Sequence, residues 1–190
     1  MLKIPSKIQY VIEKLTENGF EAYIVGGCVR DMLLGKEPFD FDVATSAKPE
    51  EVIKIFPKTV PTGIKHGTVT VILEKEPIEV TTFRTESGYS DSRHPENVCF
   101  ITSLKEDLAR RDFTVNAIAY NNISGLKDYF GGLTDLESRI LRAVGEPKQR
   151  FSEDALRILR LFRFSATLNF SIEEKTLSSA LALANTLKNI

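Results

Sequence analysis

An α+β fold followed by a helical unit is predicted by three features of the sequence. Short β-branched runs alternate apolar and polar residues with period two, apolar residues at helical spacing separate them, and strand signals stop after Gly145 and Pro147. The expectation is therefore a mixed or antiparallel sheet flanked by helices over residues 1–144, and a helical unit over 145–190. A chain of 190 residues with 42% hydrophobic content is long enough to bury a core of this kind.

In chain order, Ile8, Val11, Ile12 and Leu15 mark a first helix after Pro5 and Ser6, closed by Gly19. A strand from Glu21 to Val25 runs into Gly26–Gly27 and then a short helix carrying Val29, Leu33 and Leu34. Phe39–Val43 reads as a strand with Phe39, Phe41 and Val43 facing a core, and Val52, Ile53 and Phe56 mark a helix between Pro49 and Pro57. Gly67–Leu73 and Pro77–Arg84 form an antiparallel hairpin, with Ile78, Val80 and Thr82 on one face and Glu79 and Thr81 on the other. Thr85–Asn97 lacks apolar periodicity and reads as a long loop. Ser103 and Glu106 cap a short helix leading into an apolar helical run, Arg110–Tyr120, that polar residues interrupt. A helix through Arg139 and a strand at Ile140–Val144 follow, and beyond them helices at Phe151–Leu168 and from Ile172 to about Lys188.

Asp40 and Asp42 carry the chemistry. On a strand both carboxylates project to the same side, where they repel each other unless a divalent cation lies between them, and hard oxygen donors suit Mg²⁺ brought in with substrate phosphates. A solvated acidic face is the alternative. Upstream, the Gly26–Gly27 turn lets backbone approach a phosphate closely, and Arg30 supplies charge beside it. Glu79 is placed to face the same cleft, or else to pair with a cation across the sheet. Asp154, Arg157, Arg160 and Arg163 step by three along the C-terminal helix. A carboxylate next to a guanidinium matches the edge shared by cytosine and adenine, an amino donor beside a ring-nitrogen acceptor, with Arg160 and Arg163 left for phosphates. An intrahelical ion pair is the alternative there.

The formal net charge is −1, but Arg139–Arg163 holds seven basic residues against three acidic ones, which keeps a nucleic-acid partner open. No apolar run reaches membrane-spanning length and Met1–Ser6 lacks a secretory apolar core, so a cytoplasmic protein without a membrane partner is expected. Cys28 and Cys99 are too few for a disulfide or zinc framework and read as buried small residues.

Gly26-Gly27-x-Val29-Arg30-Asp31, Asp40-Phe41-Asp42, Glu79-Val80-Thr81-Thr82-Phe83-Arg84, Arg110-Arg111-Asp112-Phe113-Thr114-x-Asn116-Ala117 and Glu153-Asp154-Ala155-Leu156-Arg157 resemble, in order and spacing, the class II CCA-adding tRNA nucleotidyltransferases of the DNA polymerase β superfamily. The resemblance implies a nucleotidyltransferase head over 1–144 and a neck over 145–190, transferring C and A from CTP and ATP to the tRNA 3′ end. It further implies Mg²⁺ on Asp40 and Asp42 with Glu79 assisting, and Gly27, Arg30 and Arg111 on the incoming nucleotide with Asp112 near its ribose. Asp154 and Arg157 become the base-reading pair, and Arg160 and Arg163 further nucleotide contacts. Thr85–Asn97 then matches the family's flexible loop, which argues against a CC-adding enzyme, and no basic insertion of the poly(A) polymerase kind follows Thr114. An A-adding enzyme and a non-catalytic nucleotide- or RNA-binding module are the remaining alternatives. Members of that family continue past the equivalent of residue 190 into body and tail helices.

Overall fold

The computed structural model describes residues 2–89, 93 and 95–190. In order the elements are α1 Ser6–Glu17, β1 Ala22–Val25, α2 Gly27–Leu33, β2 Asp42–Thr45, α3 Pro49–Ile55, β3 Thr59–Gly63, β4 Thr68–Leu73, β5 Glu76–Thr82, β6 Arg84–Ser87 and β7 Asn97–Phe100. They continue as α4 Leu104–Ala109, β8 Ile118–Asn121, β9 Gly125–Asp128, α5 Gly132–Ser138, β10 Ile140–Leu141, α6 Pro147–Glu153, α7 Leu156–Leu168, β11 Ser171–Ile172 and α8 Glu174–Ala182.

Among the described residues the main sheet has seven strands in the order β3-β4-β5-β2-β1-β8-β9, mixed because β2 and β5 run parallel while the other neighbours are antiparallel. Pleat alternation sorts its residues. Ile24, Val43, Val69, Ile78 and Val80 join a core with Val11, Ile12 and Leu15 of α1 and Val52 of α3. Asp42, Ala44, Glu79 and Thr81 therefore point to the opposite face, where a smaller core of Tyr23, Val25, Ala44, Phe83, Leu104 and Leu108 covers only part of the sheet. The uncovered part is where the polar residues gather. The β4–β5 hairpin turns at Glu74 and Lys75, both at positive φ (48° and 72°), the tight geometry whose twist matches the flanking strands.

Five expectations are corrected. Phe39–Val43 is a strand only from Asp42, and Phe39 is fully exposed rather than in the core. Pairing with β1 ends at Val25↔Asp42 because β1 there turns into α2, so residues 39–41 have no neighbour to bond. Residues 85–97 are not one loop: β6 and β7 pair antiparallel from Arg84↔Phe100 to Ser87↔Asn97, and Ser90, Asp91, Ser92 and His94 lie outside the described residues. Cys99, on β7, is exposed, whereas Cys28 is buried as expected.

Arg110–Tyr120 is not a helix. After α4 the chain makes a single 3-10 turn at Thr114–Asn116 and enters β8, as the Asp112 side chain accepts from the Phe113 N–H (2.8 Å) and diverts the backbone. Finally, the 151–168 helix is broken at Asp154 and Ala155, and the segment beyond 144 is not wholly helical, since β11 pairs parallel with β10. Asp154 Oδ1 accepts from the Leu156 N–H at 2.9 Å, competing with helical bonding and starting α7 afresh. Phe151, Ile158, Leu161, Phe170 and Ala180 belong to the same core as α1 and the sheet.

Candidate active site

β1 delivers the chain into a turn at Gly26 with φ +81° and ψ −132°, a conformation open to glycine because a Cβ would crowd the carbonyls. A Cβ at Gly26 would also stand 2.8 Å from Arg111 Nη1. The turn and the arginine are thus packed face to face. The antiparallel ladder then sets Asp42 beside Val25, at the outer end of β2, with Asp40 in the segment leading into it.

These residues share one cleft of about 480 Å³, lined by Gly26, Gly27, Arg30, Asp40, Asp42, Arg110, Arg111, Asp112, Asn116, Asp154, Leu156, Arg157, Arg160 and Phe164. The sites expected at Gly27, Arg30, Arg111, Asp112, Asp154, Arg157 and Arg160 are therefore brought together with Asp40 and Asp42. Glu79 meets Asp40 and Asp42 in a neighbouring cavity of about 660 Å³ and meets Asp42 again in an adjoining smaller compartment, so the three carboxylates face one space. One expected residue stands apart: Arg163 is outside the lining, its guanidinium 4.8 Å from the centre of the Phe164 ring.

The basic side chains are held by internal partners. Arg30, 8% exposed, donates from Nη1 to Asn116 Oδ1 (2.7 Å) and pairs with Asp31 at 2.8 Å. Asn116 Nδ2 donates to Asp112 Oδ1 (3.0 Å), and Arg160 reaches Asp112 Oδ2 from Nε (2.8 Å) and Nη2 (2.6 Å). A continuous polar chain thus runs from α2 through the 3-10 turn to α7. Phe164 lies against both its ends, with the Arg30 and Arg160 guanidinium carbons each 5.1 Å from the ring centre. Asn116 and Phe164 were not among the expected site residues. Asn116 was visible as a polar residue in an apolar stretch and within the motif that carries the resemblance, whereas Phe164 read only as part of an apolar helix face.

Asp154 and Arg157 are not a closed pair. Arg157, 7% exposed, donates from Nη1 to the Arg150 carbonyl and Glu153 Oε2 (2.9 Å each) and from Nη2 to the Arg110 carbonyl (2.9 Å). Asp154 is half-buried, and burial raises its pKa against the pull of Arg157, Arg160 and Arg93. Asp42 is also raised, by desolvation first and then by the neighbouring Asp40 and Glu79, with Arg111 opposing. Burial lowers the Arg111 pKa, while Asp107 and Asp42 counter it.

Among the described residues no three His, Cys, Asp or Glu side chains converge closely enough to enclose a metal ion. Asp40 and Asp42 nevertheless fit a hard divalent cation that takes its other ligands from phosphates and water, because their mutual repulsion is what such an ion relieves. No helix among the described residues is long and apolar enough to cross a membrane.

Residues 22–142 match the family model described as the poly A polymerase head domain. The chain is 54% identical over 194 residues to the CCA-adding enzyme of Lactococcus lactis subsp. cremoris strain MG1363, covering 99% of this chain and 48% of that protein. It spans about half the length of the curated relatives it matches. It superposes with a TM-score of 0.90 and 46% identity on the Bacillus stearothermophilus CCA-adding enzyme in complex with CTP, over 99% of this chain and 46% of that one. The Thermotoga maritima CCA-adding enzyme complexed with tRNA-CCA matches with a TM-score of 0.80 at 28% identity, over 98% of this chain and 45% of that one.

Proposed function

The chain belongs to the poly A polymerase head-domain family, and from that premise we propose that it carries the nucleotidyl-transfer site of a tRNA nucleotidyltransferase that adds C and A to the tRNA 3′ end from CTP and ATP. In this reading the RNA 3′-oxygen forms a bond to the α-phosphorus, the bond from that phosphorus to the bridging oxygen breaks, and pyrophosphate leaves with that electron pair. The hydroxyl proton passes to solvent. The supporting observation is the single cleft that gathers a glycine turn, two adjacent carboxylates and the arginines of three separate segments.

The residues divide by chemistry. Asp40 and Asp42, with Glu79 assisting, would hold Mg²⁺, which would supply acidification of the attacking hydroxyl and neutralisation of the phosphate charge. Gly27 and Arg111 receive the triphosphate, with Arg30 and Arg160 adding charge from either end of their polar chain. Asp112, anchored by Asn116 and Arg160, limits the space for the ribose, and Arg163 lies outside as a further contact for phosphate. Asp154 accepts from the exocyclic amino group that C and A share, and Arg157 beside it donates to the ring nitrogen. Residues 1–144 form the catalytic head and 145–190 the beginning of the neck. The reaction belongs to cytoplasmic tRNA maturation.

Incubation with tRNA lacking CCA, Mg²⁺ and labelled CTP and ATP tests this. Asp40→Ala is expected to lower incorporation by at least about a hundredfold; equal incorporation by both proteins would exclude the mechanism. Reversing the hydrogen-bonding sense at Asp154 and Arg157 is expected to change which nucleotide is accepted, and an unchanged preference would remove their base-reading role.

A further inference from the structure

Next to the nucleotide cleft lies a smaller compartment of about 160 Å³, and Asp42, Arg110 and Arg111 line both. Its floor is the open face of the sheet. The strand register places Ala44, Thr81 and Thr68 side by side across β2, β5 and β4, one pleat step from Asp42 and Glu79. Ala44, buried in the smaller core, closes one side of this floor. Thr68 Oγ1 and Thr81 Oγ1 lie 3.0 Å apart, and both residues are half-buried. Only one proton is used in their mutual bond, so the pair keeps a donor and acceptor positions for something else.

The far wall is equally polar. Asp107 is 1% exposed; its Oδ2 lies 3.7 Å from Arg111 Nη2 as an ion pair, but neither that oxygen nor Arg111 Nε has a hydrogen-bond partner among the described residues. Among the described residues no aromatic ring lines the compartment, so these residues offer a base nothing to stack on. Its volume suits a five-membered sugar. In an in-line transfer the attacking oxygen approaches from the side opposite the leaving pyrophosphate, and this compartment meets the nucleotide cleft at Asp42.

We propose that the compartment receives the 3′-terminal ribose of the acceptor RNA, with its 2′-hydroxyl bonded to the Thr68–Thr81 pair. This rests on the nucleotidyl-transfer reading above. Thr81 is then a positioning residue: it holds the sugar so that the 3′-oxygen faces Asp42 and Glu79, and it makes the enzyme prefer an acceptor ending in ribose.

Two acceptors that differ only in a terminal 2′-hydroxyl or 2′-hydrogen test this with CTP. The wild-type protein is expected to favour the ribose acceptor about tenfold in kcat/KM, the effect of one hydrogen bond. Thr81→Val is expected to use both acceptors equally at an unchanged KM for CTP, and Thr81→Ser to restore the preference. Melting curves check folding, and Thr68→Val reads the other half of the pair if Thr81→Val does not fold. A preference that survives in both valine variants, or one absent from the wild type, overturns the proposal and leaves nucleotidyl transfer intact. Wild-type protein that extends neither acceptor overturns nucleotidyl transfer, and this proposal with it.

Discussion

Gly26 holds a backbone conformation that L-residues rarely adopt, and a methyl group there would push on the Arg111 guanidinium. Gly26→Ala should therefore cost about 1–3 kcal/mol of folding stability from backbone strain alone. It should also weaken CTP binding by displacing Arg111, which calorimetry with and without Mg²⁺ would measure. Asp42 supplies a second prediction. Its pKa is raised in the folded protein, so ionisation opposes folding, and the penalty grows as pH rises through the carboxylate range and is complete at neutral pH. Asp42→Asn should then raise the metal-free melting temperature at pH 7, by no more than about 2–4 °C since the residue is exposed, and added Mg²⁺ should raise it further in the wild type but not in the variant. The acidic pair was legible in the sequence because the two residues are only two positions apart, although Asp40 lies outside the strand expected to align it with Asp42. The link from Arg30 through Asn116 and Asp112 to Arg160 was not, since it joins residues brought together only by tertiary packing.

The β6–β7 hairpin is tied to the site by charge. Glu86 Oε1 accepts from Arg84 Nε (2.8 Å) and Arg110 Nη1 (3.0 Å), Oε2 accepts from Tyr89 (3.0 Å), and Asp107 Oδ1 accepts from the Arg84 N–H and from Arg110. Burial alone would raise the Glu86 pKa, but Arg110 and Arg84 together with the Tyr89 and Arg84 hydrogen bonds outweigh it and the net shift is downward. A lowered folded-state pKa contributes stability above the ordinary carboxylate value that is lost as pH falls through the folded one. Glu86→Gln should thus destabilise by about 1–3 kcal/mol at pH 7, and melting curves of variant and wild type should converge as pH falls below the ordinary value of 4.5. Strand alternation revealed the faces of β4 and β5 in advance. The starts and ends of β2, β6 and β7 were hidden, because a strand extends only as far as a neighbour lies alongside it.

For the molecule as a whole, the sequence showed where strand-rich chain gives way to helix but not how closely the two would be fused. Phe151, Ile158 and Leu161 share one core with α1 and the sheet, each contributing about 1.5–3 kcal/mol on burial. A protein ending at residue 144 should therefore expose Leu141 and Phe113, bind a hydrophobic dye and melt well below the longer chain. Scanning calorimetry with dye fluorescence would check this. The two-rung β10–β11 clasp has a wider consequence. It ties residues 140–141 to 171–172, so α6, α7 and the break between them, with Asp154, Arg157 and Arg160, belong to a closed excursion that begins and returns at this clasp. Amide protons across that excursion should exchange as one unit, releasing Asp154, Arg157 and Arg160 together or not at all.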